Sequence, residues 1–227
     1  KNLLALIPAR GGSKQVPRKN IKFFCNEPLI KWTIESAKKS KYVDRIIVST
    51  DDLEIAEIAK SYGAEVPFLR DKNIANDNST RNEVIKDAIN KIKGYKNLIL
   101  LQPTSPLRSH QHIDEAYQLF LKLNSKSCVS VREQHPSPEW MFKPKKDYKL
   151  EPIFKNKILI RQNLPKYLSL NGAIFLIKIN YFIKSKTEDP FITKNTTYYL
   201  MDHLSSIDID TELDWHMAEF LNKQYIL

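Results

Sequence analysis

The stretch Arg45-Ile46-Ile47-Val48-Ser49-Thr50-Asp51-Asp52, followed by Leu53 to Tyr62 and closed by Gly63, carries a complete structural phrase. A short apolar run with polar flanks reads as a buried strand, and Asp52 has the residue type of a helix N-cap. The amphipathic segment after it reads as a helix, and Gly63 suits the left-handed position that ends one. Working outward, Leu3 to Pro8 is an earlier strand and Pro28 to Ser40 a helix whose proline fits the first turn. Ala64 to Leu69 reads as a further strand. Thr80 and Glu83 have capping-box spacing ahead of a helix over Val84 to Ile92, and Asn97 to Gln102 is a short buried strand. Strand and helix therefore alternate through the first hundred residues. Such alternation implies an α/β, Rossmann-like, mostly parallel sheet with helices on both faces, in which ligands bind beyond the carboxyl ends of the strands.

Beyond Gln102 come Pro103-Thr104-Ser105-Pro106, a helix from Ile113 to Leu123 and a strand around Cys128 to Val131. Residues 135–168 then carry Pro136, Pro138, Pro144, Pro152 and Pro165 with scattered aromatics and no helical period. A segment that long without regular structure usually has a task. It reads as an excursion of short strands, within a single domain spanning residues 1–227, that packs on a second subunit. Regularity returns with strands over Gly172 to Ile179 and Tyr198 to Met201, a strand end at Ser206 to Asp210, and a terminal helix from Thr211.

The 227 residues, 42% hydrophobic and 27% charged, describe a globular chain and exclude a disordered or collagenous one. The longest apolar runs, Leu3 to Ile7 and Ala173 to Ile177, are five residues each, far below the roughly 18–20 of a membrane span. With no secretory pattern at the N-terminus, the expected location is the cytoplasm and no membrane partner is expected. Cys25 and Cys128 support neither a disulfide framework nor a zinc site. A net charge of +10 favours anionic partners, which leaves three readings: a solvated lysine-rich surface, a nucleic acid, or an anionic small molecule. A nucleic-acid binder would show a recognition helix or aromatics stacked amid Lys and Arg, and neither is evident.

Motifs separate these readings. Ile7-Pro8-Ala9-Arg10-Gly11-Gly12-Ser13-Lys14, with Pro17, Lys19 and Asn20 behind it, leaves the first strand. Gly11 and Gly12 allow close backbone approach to a phosphate, and Arg10, Ser13, Lys14 and Lys19 offer donors, most of them charged. The spacing is neither a Walker A loop nor G-x-G-x-x-G, and an ordinary Gly-Gly turn remains the plain alternative. Gln102 ends an apolar strand, where a polar side chain reaches the cleft without entering the core. Asp208 and Asp210, two apart on the expected strand, share one face, and paired carboxylates suit a hard cation such as Mg2+ held together with substrate phosphate. The plain reading of Asp210 is a helix cap, although Thr211 and Asp214 already have capping-box spacing. Asp210 is also the candidate for helping to deprotonate an attacking hydroxyl. His110, His112, His135, His203 and His216 form no ligand spacing and read as structural. Trp140, Phe191, Tyr198 and Tyr199 are either core residues or the wall of an apolar subsite.

Taken in order, these pieces resemble the cytidylyltransferases that activate eight- and nine-carbon sugar acids, above all the CMP-sialic acid synthetases. The resemblance extends over Val48 to Asp52, Arg70 with Ala75 to Thr80, Leu101 to Arg108, Arg161-Gln162, Asn171-Gly172-Ala173-Ile174 and Ser206 to Thr211. It implies transfer of CMP from CTP to the anomeric hydroxyl of a nonulosonic acid with release of pyrophosphate; Mg2+ is expected from the aspartate pair and a homodimer from the excursion. It further implies that Arg10 and Lys14 grip the triphosphate with help from Lys19. Ala9, Gly11, Ser13, Asn20, Arg70, Asp77 and Thr80 would surround the nucleotide, Asp77 to Thr80 also reading simply as a turn and cap. Gln102 and Asn171 would meet the sugar acid, Arg161 and Gln162 would contact its carboxylate or a phosphate, and Arg108 is either another acid-sugar ligand or a loop salt bridge. One departure stands out: Ser169 occupies the place, two residues before Asn171-Gly172-Ala173, where many sialic acid enzymes have Arg. His135-Pro136-Ser137-Pro138-Glu139-Trp140 resembles relatives that activate legionaminic or pseudaminic acid. The competing acceptor is the eight-carbon acid Kdo.

Overall fold

The computed structural model describes residues 1–13, 15–76, 79–154, 160, 162 and 164–225. In chain order the strands are β1 (Leu3–Pro8), β2 (Phe23–Phe24), β3 (Glu27–Pro28), β4 (Arg45–Ser49), β5 (Asn97–Leu101), β6 (Ser127–Glu133), β7 (Phe142–Pro144), β8 (Leu150–Pro152), β9 (Leu168–Lys178) and β10 (Thr197–Leu200). The helices are α1 (Leu29–Lys39), α2 (Leu53–Ser61), α3 (Arg81–Lys91), α4 (His110–Lys122), α5 (Ile179–Lys184) and α6 (Glu212–Tyr225). Among the described residues no helix is long and apolar enough to cross a membrane.

Six strands form the central sheet in the order β10-β6-β9-β5-β1-β4. The pairs β1 with β4, β1 with β5, and β10 with β6 are parallel, and β9 runs antiparallel to both its neighbours, β5 and β6. The mostly parallel sheet read from the sequence is therefore present. Its helices lie on both faces, as the alternation within β1 shows. Leu3, Ala5 and Ile7 join a cluster with Ile30 and Ile34 of α1, Ile55 of α2 and Phe120 of α4. Leu4 and Leu6 join another with Ile85 and Ile89 of α3 and Phe182 of α5. All five of these β1 side chains are fully buried, each Leu or Ile worth about 1.5–3 kcal/mol in the folded state. A third cluster seats Trp215 and Ala218 of α6 on Val16, Phe24, Leu107 and Ile209, and so fixes the terminal helix over the loops that follow β1 and β5.

Three local expectations hold in atomic detail. Asp52 caps α2 by accepting from Ile55 N at 3.1 Å, Gly63 sits at φ +90°, and Thr80 and Glu83 form the capping box of α3. Two expected strands do not form. Ala64 to Leu69 makes only a bridge between Glu65 and Ile47, because Pro67 has no N–H to extend the ladder. Ser206 to Asp210 forms no strand: Ser206 ends a turn, and Ile209 N donates to Thr104 O at 2.8 Å rather than to a sheet neighbour. Within residues 135–168, β7 and β8 make a small antiparallel hairpin whose six residues are all exposed. Cys128 is buried and Cys25 half-buried, neither forms a disulfide, and burial raises both thiol pKa values.

Candidate active site

From β1 the chain crosses to β4 on one side and later returns through α3 to β5 on the other, so the connections diverge at the carboxyl ends of β1 and β5. A cleft opens there, as the topology requires. The loop after β1 is held in place by its backbone. Ala9 N donates to Ser49 O at 2.9 Å and Gly11 N to Asp51 Oδ1 at 3.1 Å, while Asn20 Nδ2 donates to Arg10 O at 2.9 Å. A Cβ on Gly11 would lie 2.6 Å from Asp52 Oδ2, so this glycine is there for close approach. Arg18 Nη1 bonds Asp52 Oδ2 at 2.8 Å, the main reason that the Asp52 carboxyl lies below its ordinary pKa. The loop is thus fixed before any ligand arrives. Arg10, Ser13 and Lys19 line a cleft of about 430 Å³ with Gln102, Thr104 and Asp210 across from them. Lys14 lies outside the described residues.

A second recess of about 280 Å³ opens beside Arg10 and Gln102, walled by Arg70, Ser79, Thr80 and Arg81. Arg70 is buried and bonds Ser49 twice, through Nε to the hydroxyl at 3.0 Å and through Nη2 to the carbonyl. Burial is the largest influence on its pKa and lowers it. Arg81 was not legible from sequence as part of this wall. It lies over the rings of Phe175 and Phe191 and pairs with Asp189 at 2.7 Å, a residue 108 positions away. Asp77 lies outside the described residues.

The acidic pair faces the cationic loop. Lys19 Nζ donates to Ile209 O at 2.6 Å and stands 3.4 Å from Asp210 Oδ1. The capping question is settled by α6 itself. Thr211 Oγ1 accepts from Asp214 N at 3.2 Å and Asp214 Oδ2 accepts from Thr211 N at 2.7 Å, so Thr211 is the cap and the Asp210 carboxylate is not. Burial raises the pKa of Asp208, Thr104 opposes that through a hydrogen bond, and the charge of Asp210 adds to the rise. Asp208 Oδ1 is buried with no hydrogen-bond partner among the described residues.

On the far side of the pair is a third cleft, of about 520 Å³, containing Asn171, Gly172, Asp208, Asp210 and Arg132. Because β9 is antiparallel to β5, with Ile174 opposite Leu101, its first turn comes down beside Gln102. Asn171 is spent on scaffolding there. Its Nδ2 donates to Ser206 Oγ at 2.9 Å, and its Oδ1 accepts from Ser130 Oγ at 2.5 Å and from Ala173 N at 3.2 Å. Arg132, a further cation at this cleft, was missed because nothing in its local pattern distinguishes it from a solvated strand residue.

Not every candidate reaches these clefts. Arg108 is buried behind the wall, donating to Gln102 O at 3.2 Å, Ala173 O at 2.9 Å and Thr33 Oγ1 at 2.8 Å. Burial pushes its guanidinium pKa down to about 9, and it forms no salt bridge among the described residues. Gln162 lines a separate hollow of about 640 Å³ with Trp140 and Tyr167, in the excursion. Arg161 lies outside the described residues. Phe191 is a core residue, and Tyr199 donates to Glu115 Oε2 at 2.5 Å. His112 completes the cap of α4 through Nδ1, accepting from Ser109 N at 3.1 Å. His135 and His203 lie against each other with tilted rings, centroids 5.7 Å apart.

The architecture is that of the Rossmann-like nucleotidyltransferases. A solved CMP:2-keto-3-deoxy-manno-octonic acid synthetase complexed with CTP superposes over 99% of both chains with a TM-score of 0.74 at 15% identity. A 4-diphosphocytidyl-2C-methyl-D-erythritol synthase from Anaerococcus prevotii does so over 99% of this chain and 97% of its own, with a TM-score of 0.69 at 13% identity. At such identities the likeness establishes the fold. Sequence carries the assignment further: residues 4–202 match the family described as cytidylyltransferase, and the chain belongs to that family. A CMP-N,N'-diacetyllegionaminic acid synthase from Legionella pneumophila is 36% identical over 96% of this chain and 95% of its own. A pseudaminic acid cytidylyltransferase from Campylobacter jejuni is 34% identical over 97% and 96%. An N-acylneuraminate cytidylyltransferase from Escherichia coli is 35% identical over 95% of this chain, which spans 51% of that relative's length.

Proposed function

We propose that this enzyme transfers CMP from CTP to the anomeric hydroxyl of a nonulosonic acid and releases pyrophosphate. The hydroxyl oxygen bonds to the α-phosphorus, the bond from that phosphorus to the bridging oxygen breaks, and the hydroxyl proton leaves. The observation that carries the reading is the meeting of the cationic loop and the acidic pair at the Lys19–Asp210 contact of 3.4 Å, directly beside Gln102. Triphosphate and acceptor are brought together there.

In this reading Arg10 and Lys14 grip the triphosphate, and Lys19 joins that grip to the acidic pair. Ser13 presents its hydroxyl, and Ala9 and Gly11, whose N–H groups are held by Ser49 O and Asp51 Oδ1, fix the path of the loop. As charge gathers on the leaving pyrophosphate, cations fixed in advance stabilise it without reorganising. Asn20 acts indirectly by holding the Arg10 carbonyl. Arg70, Asp77 and Thr80 form the base and ribose pocket. Gln102 orients the acceptor, Asn171 sets the turn beneath it, and Arg108 holds the wall from behind. Asp210, exposed and not used as a cap, accepts the hydroxyl proton.

The residues present suit a divalent cation, for which we expect Mg2+: Asp208 offers a buried oxygen without a partner among the described residues, and Asp210 stands two residues on. When bound it supplies positive charge to phosphate oxygens. Among the described residues no group of three or more His, Cys, Asp or Glu is placed to hold a metal.

The exposed β7–β8 hairpin, with Phe142 48% and Leu150 65% exposed, supports residues 135–168 as a dimerisation excursion that carries Arg161 and Gln162 to the neighbouring subunit. Closed two-fold dimers are the commonest soluble assemblies. A fully active monomer by light scattering at micromolar concentration would refute this part. A reaction that consumes CTP belongs in the cytoplasm, where nucleoside triphosphates are made.

The test is pyrophosphate release across CTP, UTP, ATP and GTP with N-acetylneuraminic, legionaminic, pseudaminic and Kdo acids. Release is expected with CTP and a nine-carbon acid, at roughly 10² or more over UTP, since a site built for one polar edge rejects its analogue. Equal release from CTP and UTP would sink the reading. Relatives named for nine-carbon acids are 33–36% identical to this chain, and the Kdo enzyme is a 15% neighbour, which favours the former acceptors.

A further inference from the structure

We infer that Arg132 is the anchor for the acceptor's carboxylate and a determinant of acceptor choice, supplied across the strand from Ser169. The inference rests on the proposed reaction and adds a residue to it. In the β6–β9 ladder Arg132 is paired directly with Ser169. Cross-strand partners share one face of a sheet, so a side chain at either position can serve the same cleft. Arg132 lines the cleft that holds Asp208, Asp210 and Gly172. Among the described residues lining that cleft it is the sole cation.

Its charge is not spent elsewhere. Among the described residues the Arg132 guanidinium has no hydrogen-bond or ion-pair partner. The adjacent acid, Glu133, points to the other face of β6 and is engaged by Lys166 at 3.3 Å and His135 at 3.8 Å. Ser169 Oγ is buried, does not line the cleft, and also has no partner among the described residues. An arginine unpaired among the described residues, in a cleft whose other charged groups are acids, fits one ligand chemistry. That ligand is a carboxylate held bidentately by the guanidinium. The neutral polar groups nearby cannot substitute, since Asn171 and Ser206 bond each other at 2.9 Å. Leu170 and Met217, each about half exposed, give the same cleft an apolar border for the body of the sugar.

The experiment measures steady-state kinetics with CTP and the nine-carbon acid that the wild type turns over, and with the carboxamide of that acid. The proteins are wild type, Arg132→Ala, Arg132→Lys and the exchanged pair Arg132→Ser with Ser169→Arg. Arg132→Ala should raise KM for the acid about 10- to 100-fold, the range for loss of a charge-assisted hydrogen bond, and leave KM for CTP unchanged. Arg132→Lys should recover part of that loss. The wild type should bind the carboxamide poorly, and this preference for the acid should vanish in Arg132→Ala; a merely structural role would leave it in place. The exchanged pair should regain the preference with an altered ranking of acceptors. An unchanged acceptor KM in Arg132→Ala, or a persisting preference for acid over amide, overturns the role of Arg132 alone. No turnover by the wild type with any nine-carbon acid overturns the proposed reaction and the inference with it.

Discussion

Gly172 stands so close to Gln102 that a Cβ built on it would lie 2.7 Å from Gln102 Oε1 and 3.1 Å from Asp208 Oδ2. Its φ of +76° is one that an L side chain rarely adopts. Gly172→Ala therefore displaces two groups of the site at once. Stability should fall by about 1–2 kcal/mol from the backbone conformation. Turnover should fall by more than that loss explains, because a displacement near the chemistry of about 1 Å costs about 10²-fold. Thermal unfolding and pyrophosphate release on the same preparation check both, and wild-type turnover would show that the contact is incidental.

Arg10, with Pro8 and Gln102, lines both the loop cleft and the recess beside it. Arg10→Ala removes a fixed cation from the triphosphate, so kcat/KM should fall about 10²- to 10³-fold. The fold should persist, because the side chain is only partly buried and belongs to none of the three apolar clusters. Near wild-type turnover in a folded Arg10→Ala protein is the outcome that rejects the phosphate-loop assignment.

For Asp210 the two readings separate cleanly. Thr211 and Asp214 already cap α6, so Asp210→Asn should leave the melting temperature nearly unchanged. Turnover should drop by orders of magnitude, with Asp208→Asn similar or milder. EDTA should abolish wild-type activity and added magnesium restore it. A magnesium titration of both variants decides the matter: unaltered activity and an unaltered metal requirement would make the pair structural.

His112 offers a stability test against pH. Burial, its largest influence, lowers its pKa from the ordinary 6.5, while Asp202 and Glu115 pull the other way. The folded chain thus binds fewer protons at this site than the unfolded chain. Stability from this source is present above pH 6.5 and is lost as pH falls through the window beneath it. Gln at this position can still serve the Ser109 cap, so His112→Gln should show a shallower fall in melting temperature between pH 7 and about 5. An acid slope equal to that of the wild type would contradict this.

The parts of the fold legible in the sequence were those set by short-range physics. The period of Leu3 to Ile7, the Asp52 cap, the Thr80–Glu83 box and the left-handed Gly63 are decided within a few residues, so they appear in the sequence and recur in the structure. The string Arg10-Gly11-Gly12-Ser13 reads as a candidate anion site for the same reason, its donors and its flexibility being local, and Arg10 and Ser13 line a cleft in the structure. What failed was whatever depended on a distant backbone. Glu65 found a single bridge, and Ser206 to Asp210 gave its Ile209 N–H to Thr104 rather than to a strand.

Tertiary structure alone decided the identity of the neighbours. Sequence alone left Arg108 between a ligand and a salt bridge, and only the packing of β5 against β9 shows it holding the carbonyls of Gln102 and Ala173 from within the core. Arg81 gained its partner from Asp189, and Arg132 its place opposite Ser169, through sheet order and strand register. Capping and periodicity follow from the covalent chain over one or two turns. Which cation faces which carboxylate follows from an antiparallel strand inserted between β5 and β6, a choice made by the burial of both faces of the sheet and written in no single stretch of residues.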